Sequence, residues 1–191
     1  GSFPSNPNHQ AIMSNDLLTL STVSRSRVES LFGTARRLKR EPERFASALA
    51  GKAVILLFEQ PSLRTRLTVE VGVQQMGGIC IYHDHSASRI GQRESVYDMG
   101  RNLERWVHAI VARVFHHNTL EELAAAASIP VINGLSDRFH PCQALADMLT
   151  LLDRRPPKSA TGHSGLRLAF VGDGNNVCHS LMHACAILGI D

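Results

Sequence analysis

A continuous apolar run, Ala53-Val54-Ile55-Leu56-Leu57, constrains this chain more than any other feature. It lacks the alternation of a half-exposed strand, so it reads as a strand covered on both faces, the habit of parallel sheets. Phe58-Glu59-Gln60-Pro61-Ser62-Leu63-Arg64-Thr65-Arg66 follows, and then a segment to Met76 that can form a helix despite its β-branched residues. Ser62 suits an N-cap, which places Arg64, Thr65 and Arg66 in the first helical turn. Backbone N–H groups at a helix start, joined there by hydroxyls and guanidinium groups, make a site for a phosphate-like dianion. Arginine is disfavoured at a helix N-terminus unless an anion sits beside it.

The same alternation continues. An amphipathic helix is expected from Ser21 to about Arg40 and a second strand at Ile79–Tyr82 after Gly77-Gly78. A polar, mobile loop from His83 to Arg93 leads to a helix over Glu94–Arg105, a strand over Val107–Ala112, and an alanine-rich helix over Leu120–Ala127. A short strand at Pro130–Asn133 and a helix from Pro141 to Asp153 complete this part, with proline at its favoured first position. Strand–helix alternation at this spacing predicts an α/β fold, a parallel sheet flanked by helices. Residues 1–18 read as a frayed or docked arm. Residues 154–165, rich in Pro, Gly and Ser, read as a linker between a first domain, 1–153, and a second unit, 166–191. That unit holds one predicted strand, Leu166–Val171, and one helix, Val177–Leu188. It is too little to bury a core alone and reads as the truncated start of a second, Rossmann-like domain.

Composition narrows the function classes. The chain has 191 residues and a formal net charge of +3. No basic stripe interleaves with aromatics, which argues against nucleic acid. No apolar run is long enough to span a membrane. Cys80, Cys142, Cys178 and Cys185 show no C-x-x-C pairing and read as reduced thiols of a cytoplasmic protein. The polar stretch through Gln10 has neither an apolar signal core nor an Arg-rich amphipathic pattern. His83-Asp84-His85 and His116-His117 lack the spacing of a helical zinc motif, so no metal is expected.

Ligands of open parallel sheets bind at the carboxyl ends of strands. Three groups occupy such ends: the Ser62–Arg66 turn, Arg113 after the third strand, and His140-Pro141-Cys142-Gln143 after the fourth. A histidine and an arginine converging on a carbonyl oxygen stabilise negative charge developing there, and Gln143 can accept a hydrogen bond from an amide NH2. Gly172-Asp173-Gly174-Asn175-Asn176-Val177 carries G-x-G after a predicted strand, but Val177 replaces the third glycine of a dinucleotide fingerprint.

Ser62-Leu63-Arg64-Thr65-Arg66 resembles the S-T-R-T-R signature of the aspartate/ornithine carbamoyltransferases, with Leu63 in place of the usual threonine. The stretch around His140-Pro141-Cys142-Gln143 is similar to the H-P-x-Q region of the ornithine enzymes, and Gly172–Asn176 is similar to the ornithine rather than the aspartate branch. The resemblance implies an ornithine-type carbamoyltransferase of amino-acid metabolism and arginine biosynthesis, without metal or organic cofactor. Ser62, Leu63, Arg64, Thr65 and Arg66 would then bind the phosphate end of carbamoyl phosphate. Arg113, Thr65 and His140 would polarise the carbonyl as the catalytic group, Gln143 would meet the carbamoyl nitrogen, and Asn176 would contact ornithine. Arg89 stands where relatives reach into a neighbouring subunit's site, and a homotrimer is implied. Two further readings stay open: a carbamoyl-phosphate-binding module without turnover, or a transferase for another amine such as N-modified ornithine or aspartate. A nucleotide-binding domain is a third.

Overall fold

The computed structural model describes residues 15–155 and 165–191. Four parallel strands lie in the order β2-β1-β3-β4: β1 (Ala53–Phe58), β2 (Ile79–Asp84), β3 (Ala109–Arg113) and β4 (Val131–Leu135). Between them run helices α2 (Leu63–Gln75), α3 (Val96–Leu103) and α4 (His117–Ala126), with α1 (Arg25–Arg40) before β1 and α5 (Pro141–Arg154) and α6 (Asn176–Leu188) after β4. The apolar run at 53–57 is the inner strand expected of it, with Leu56 and Phe58 fully buried.

Side chains alternate between the faces of a strand. Val54, Leu56 and Phe58 pack with Val73 of α2 and Val111 on one face. Ile55 and Leu57 join Ile110, Leu103, Leu120 and Leu123 on the other, beneath α3 and α4. A third cluster binds α1, α5 and α6 through Val28, Phe32, Met148, Leu181 and Leu188. Gly77 ends α2 with φ of +80°, and a Cβ there would stand 2.8 Å from the Ala46 carbonyl oxygen, so only glycine fits.

Several expected boundaries move for local reasons. Helix α1 starts at Arg25 rather than Ser21 because the Ser24 hydroxyl accepts from Arg27 N–H. Helix α4 starts at His117 because an Asp137 carboxylate oxygen, 2.8 Å away, accepts its N–H. Strand β3 begins at Ala109, two residues later than expected, where pairing with Val54 begins. The expected strand at Leu166–Val171 does not form. A strand needs a neighbour, and among the described residues this segment gains only backbone bonds from Leu168 to Asp191 and from Asp191 to Leu166. The arm docks at Leu17, which pairs with Ile132 at the sheet edge; its residues 1–14, and linker residues 156–164, lie outside the described residues.

From β1 the chain crosses to β2 on one side, and from β3 to β4 on the other. The carboxyl ends of β1 and β3 therefore flank a topological switch point, where a crevice opens.

Candidate active site

A cleft of about 750 Å³ opens at that switch point. Its floor is the sheet face of Val54, Val111 and Ile132, and its rim carries Ser62, Arg64, Thr65, Arg113, His140 and Gln143. Each rim residue is delivered by an element end. Ser62 occupies the N-cap of α2 in extended conformation, yet its hydroxyl makes no cap bond. It donates instead to Thr65 Oγ1 at 3.1 Å, which leaves the Thr65 hydroxyl proton for another acceptor. The first-turn N–H groups of α2 are thus left without a side-chain cap, beside the Arg64 guanidinium, which is the local setting for an anion. Helix α5 also starts without a side-chain cap, with Pro141 in its first turn.

Arg113 ends β3, and its Nε is buried without a hydrogen-bond partner; the same holds for His140 Nδ1. Buried polar atoms are normally paired, and these two belong to side chains that line one cleft. Burial lowers the pKa of Arg113, which nonetheless keeps its charge. Burial lowers that of His140 too, helped by the Arg113 charge and opposed by Asp147. His140 is accordingly a neutral imidazole at pH 7, able to donate one N–H while Arg113 supplies the charge. Gln143 donates its NH2 to Asp147 Oδ1 at 2.9 Å and keeps its amide oxygen as an acceptor.

Not every expected residue reaches this cleft. Arg66 turns away: its Nε lies 3.0 Å from Glu70 Oε1 and its guanidinium 3.7 Å from the centre of the Tyr82 ring. Leu63 is 74% exposed and does not line the cleft, so the departure from threonine removes no hydroxyl there. Arg89 borders a separate cavity of about 440 Å³ on the opposite sheet face, with Ile55, Leu57 and Trp106, and stacks 4.6 Å from the centre of the Phe115 ring. Asn176 stands in the first turn of α6, where its NH2 donates to the Ser136 carbonyl at 2.7 Å.

The sequence reading gave no role to Glu59, Asn133 or Ser136. Glu59 is 4% exposed, and its two oxygens accept from Ile90 N–H at 2.9 Å and Phe115 N–H at 2.7 Å. It ties the loops after β2 and β3 to the end of β1. Asn133, wholly buried, donates to the carbonyls of Leu18 and Phe139 and so fixes the turn before His140. The available signal was a polar residue in or just after an apolar strand, where burial demands a partner.

Residues 15–153 match the family described as aspartate/ornithine carbamoyltransferase, carbamoyl-P binding domain. The chain belongs to that family. It is 46% identical over 172 residues to the ornithine carbamoyltransferase of Shewanella oneidensis, covering 90% of this chain and 56% of the relative. With the Thermus thermophilus ornithine carbamoyltransferase it shares 49% identity over 175 residues, covering 92% and 56%. Solved structures agree: the crystal structure of ornithine carbamoyltransferase from Thermus thermophilus superposes with a TM-score of 0.83 at 47% identity, over 93% of this chain and 60% of the other. The Pyrococcus furiosus ornithine carbamoyltransferase gives 0.86 at 38% identity, over 94% and 56%. The chain thus spans a little over half the length of the carbamoyltransferases it matches. The α/β fold and the family expected from the motifs hold.

Proposed function

We propose that the protein transfers the carbamoyl group of carbamoyl phosphate to the side-chain amine of ornithine, giving citrulline and phosphate. The observation that carries this is the convergence, in one cleft, of two uncapped helix starts with Arg113, His140 and Gln143. Phosphate sits against the start of α2, held by its N–H groups, Ser62, Arg64 and Thr65. The carbamoyl oxygen faces Arg113, His140 and the Thr65 hydroxyl, and the carbamoyl NH2 donates to the Gln143 oxygen. The neutral amine of ornithine attacks the carbonyl carbon, forming a C–N bond and a tetrahedral oxyanion. The C–O bond to phosphate then breaks, its electron pair leaves with phosphate, and the amine gives up a proton. Carbamoyl transfer is redox-neutral, and these roles are filled by protein groups without metal or cofactor. The protein's share is positioning and electrostatics.

Residues 1–153 serve carbamoyl phosphate in this reading, 154–165 link, and 166–191 begin the part that binds the amino acid through Asn176. The Gly172–Asn176 pattern and the relatives' names support ornithine over aspartate. Arg89 lies across the sheet from the cleft, so a role for it at such a site belongs to a neighbouring copy in a homotrimer. Among the described residues no helix is long and apolar enough to cross a membrane. A cytoplasmic location is part of the proposal and rests on the resemblance and the unpaired cysteines of the sequence.

Calorimetric titration of this chain with fresh carbamoyl phosphate, with NAD as the control ligand, tests the reading. Saturable binding of carbamoyl phosphate is expected, weakened by roughly 10- to 100-fold in Arg64→Ala, the loss of a charge-assisted hydrogen bond. Binding of NAD alone, or unchanged affinity in Arg64→Ala, would overturn it.

A further inference from the structure

His140 stands at the end of a short connection, Ser136-Asp137-Arg138-Phe139, that leads from β4 into α5. Its side chain is only as well placed as the two ends of that connection. Internal bonds fix the middle: Ser136 N–H donates to the Phe139 carbonyl at 3.0 Å, and Phe139 N–H to Ser136 Oγ at 3.2 Å. The ends are held from outside, by α6. Asn176 Nδ2 donates to the Ser136 carbonyl at 2.7 Å, and Ser180 Oγ accepts from His140 N–H at 2.8 Å.

Asn176 and Ser180 are four residues apart, so one face of α6 spans the whole connection. The Ser180 hydroxyl proton goes to the Asn176 carbonyl at 2.8 Å, which orients the oxygen to accept from His140. Ser180 is 1% exposed and Ser136 wholly buried, so water cannot replace either bond. Helix α6 follows the 154–165 segment, yet it grips Ser136, where the connection starts, and His140, to which it leads.

We propose that Asn176 and Ser180 act as a two-point clamp through which α6 sets the His140 imidazole against Arg113, making both positioning residues for carbamoyl transfer. The assignment takes from the preceding reading that His140 faces the carbonyl oxygen and that α6 lies on the amino-acid side. Its consequence is that the acceptor-side helix governs the histidine of the carbamoyl phosphate side, and that an amino acid meeting Asn176 meets a group already tied to that histidine.

Nuclear magnetic resonance titration of the His140 imidazole in this chain tests the clamp without substrate. Burial and Arg113 on β3 hold this ring below the ordinary histidine value, while Asp147 on α5 pulls the other way. Releasing the connection moves the ring toward water and away from Arg113. Ser180→Ala and Asn176→Ala are each expected to raise its pKa by about half a unit or more. Ser95→Ala, which removes a hydroxyl cap of the same kind from α3, is expected to leave it unmoved. Ser180→Ala leaves a buried N–H unpaired and is the harder variant to fold; Asn176→Ala changes a half-exposed first-turn residue and keeps the test open. An unchanged His140 titration in folded Asn176→Ala, or an equal shift in Ser95→Ala, would overturn the clamp. Failure of the wild-type chain to bind carbamoyl phosphate would sink the preceding reading and leave this titration result standing.

Discussion

Two kinds of helix start coexist in this chain. Helices α1, α3 and α6 begin at Ser24, Ser95 and Asn175, whose side chains accept from first-turn N–H groups. Helix α4 borrows its cap from Asp137. Helices α2 and α5 have none, although Ser62 stands at the cap position of α2 with a suitable extended backbone. A missing cap costs about 1 kcal/mol, and the two helices that bear this cost are the two that open onto the cleft. In the proposed function, an anion takes the place of the cap at these two starts.

That contrast can be broken from either side. The largest effect should come from the pocket's fixed charge. Arg113→Ala is expected to lower kcat by about 100- to 1,000-fold, the usual cost of a lost oxyanion donor. Steady-state kinetics with both substrates would show it, and a tenfold or smaller loss would remove Arg113 from the carbonyl. Ser62→Asp attacks the comparison directly. A carboxylate at this N-cap should accept the idle N–H groups and raise Tm by about 2–4 °C. It should also repel phosphate and weaken carbamoyl phosphate binding by about 100-fold. Calorimetry and a thermal melt read the two effects on one sample; a melt that rises with binding intact would mean the start of α2 is not the phosphate site.

Acid should expose the cost of the buried histidines. His117, 3% exposed with its Nδ1 2.9 Å from Ser136 Oγ, and His140 are both held below the ordinary value of 6.5, chiefly by burial. As pH falls below 6.5 the unfolded chain takes up protons that the folded chain resists, so stability declines until the folded values are passed. Urea midpoints at pH 7.5, 6 and 5 should fall in that order, and His140→Asn should flatten part of the slope. A midpoint that rises on acidification would contradict the burial of both rings.

What the sequence conveyed and what it hid follow one physical divide. The inner strand at 53–57 and the helix starts at Ser62 and Pro141 were legible because they depend on local composition and on burial of whole apolar segments. Glu59, Asn133 and Ser136 were not, because a polar residue acquires its meaning from partners 31, 115 and 19 positions away, at Ile90, Leu18 and His117. The missing strand at 166–171 has the same origin: an extended segment is defined by its neighbour, and composition cannot supply one. The family resemblance grouped Arg66 with Arg64, but spacing within a helical turn does not reveal which way a guanidinium leans, and here it leans on Glu70 and Tyr82.

Arg66 is therefore the sharpest small test. It lies two residues from Arg64, carries the same charge and belongs to the same turn, but its partners are Glu70 and the Tyr82 ring. An i,i+4 ion pair at this exposure contributes about 0.3–0.5 kcal/mol and a cation–π contact at an exposed site about 0.5–1. Arg66→Ala should thus cost roughly 1 kcal/mol of stability and change carbamoyl phosphate affinity less than about threefold at physiological salt, where screening mutes a charge that makes no direct contact. Parallel titrations of Arg64→Ala and Arg66→Ala at two ionic strengths decide the matter. Equal losses that vanish together in salt would mean the turn acts as a diffuse positive field, in which cap geometry matters little. A large salt-resistant loss confined to Arg64 would mean that the idle N–H groups and one guanidinium form a directional anion site, with Arg66 spent on holding α2 against β2.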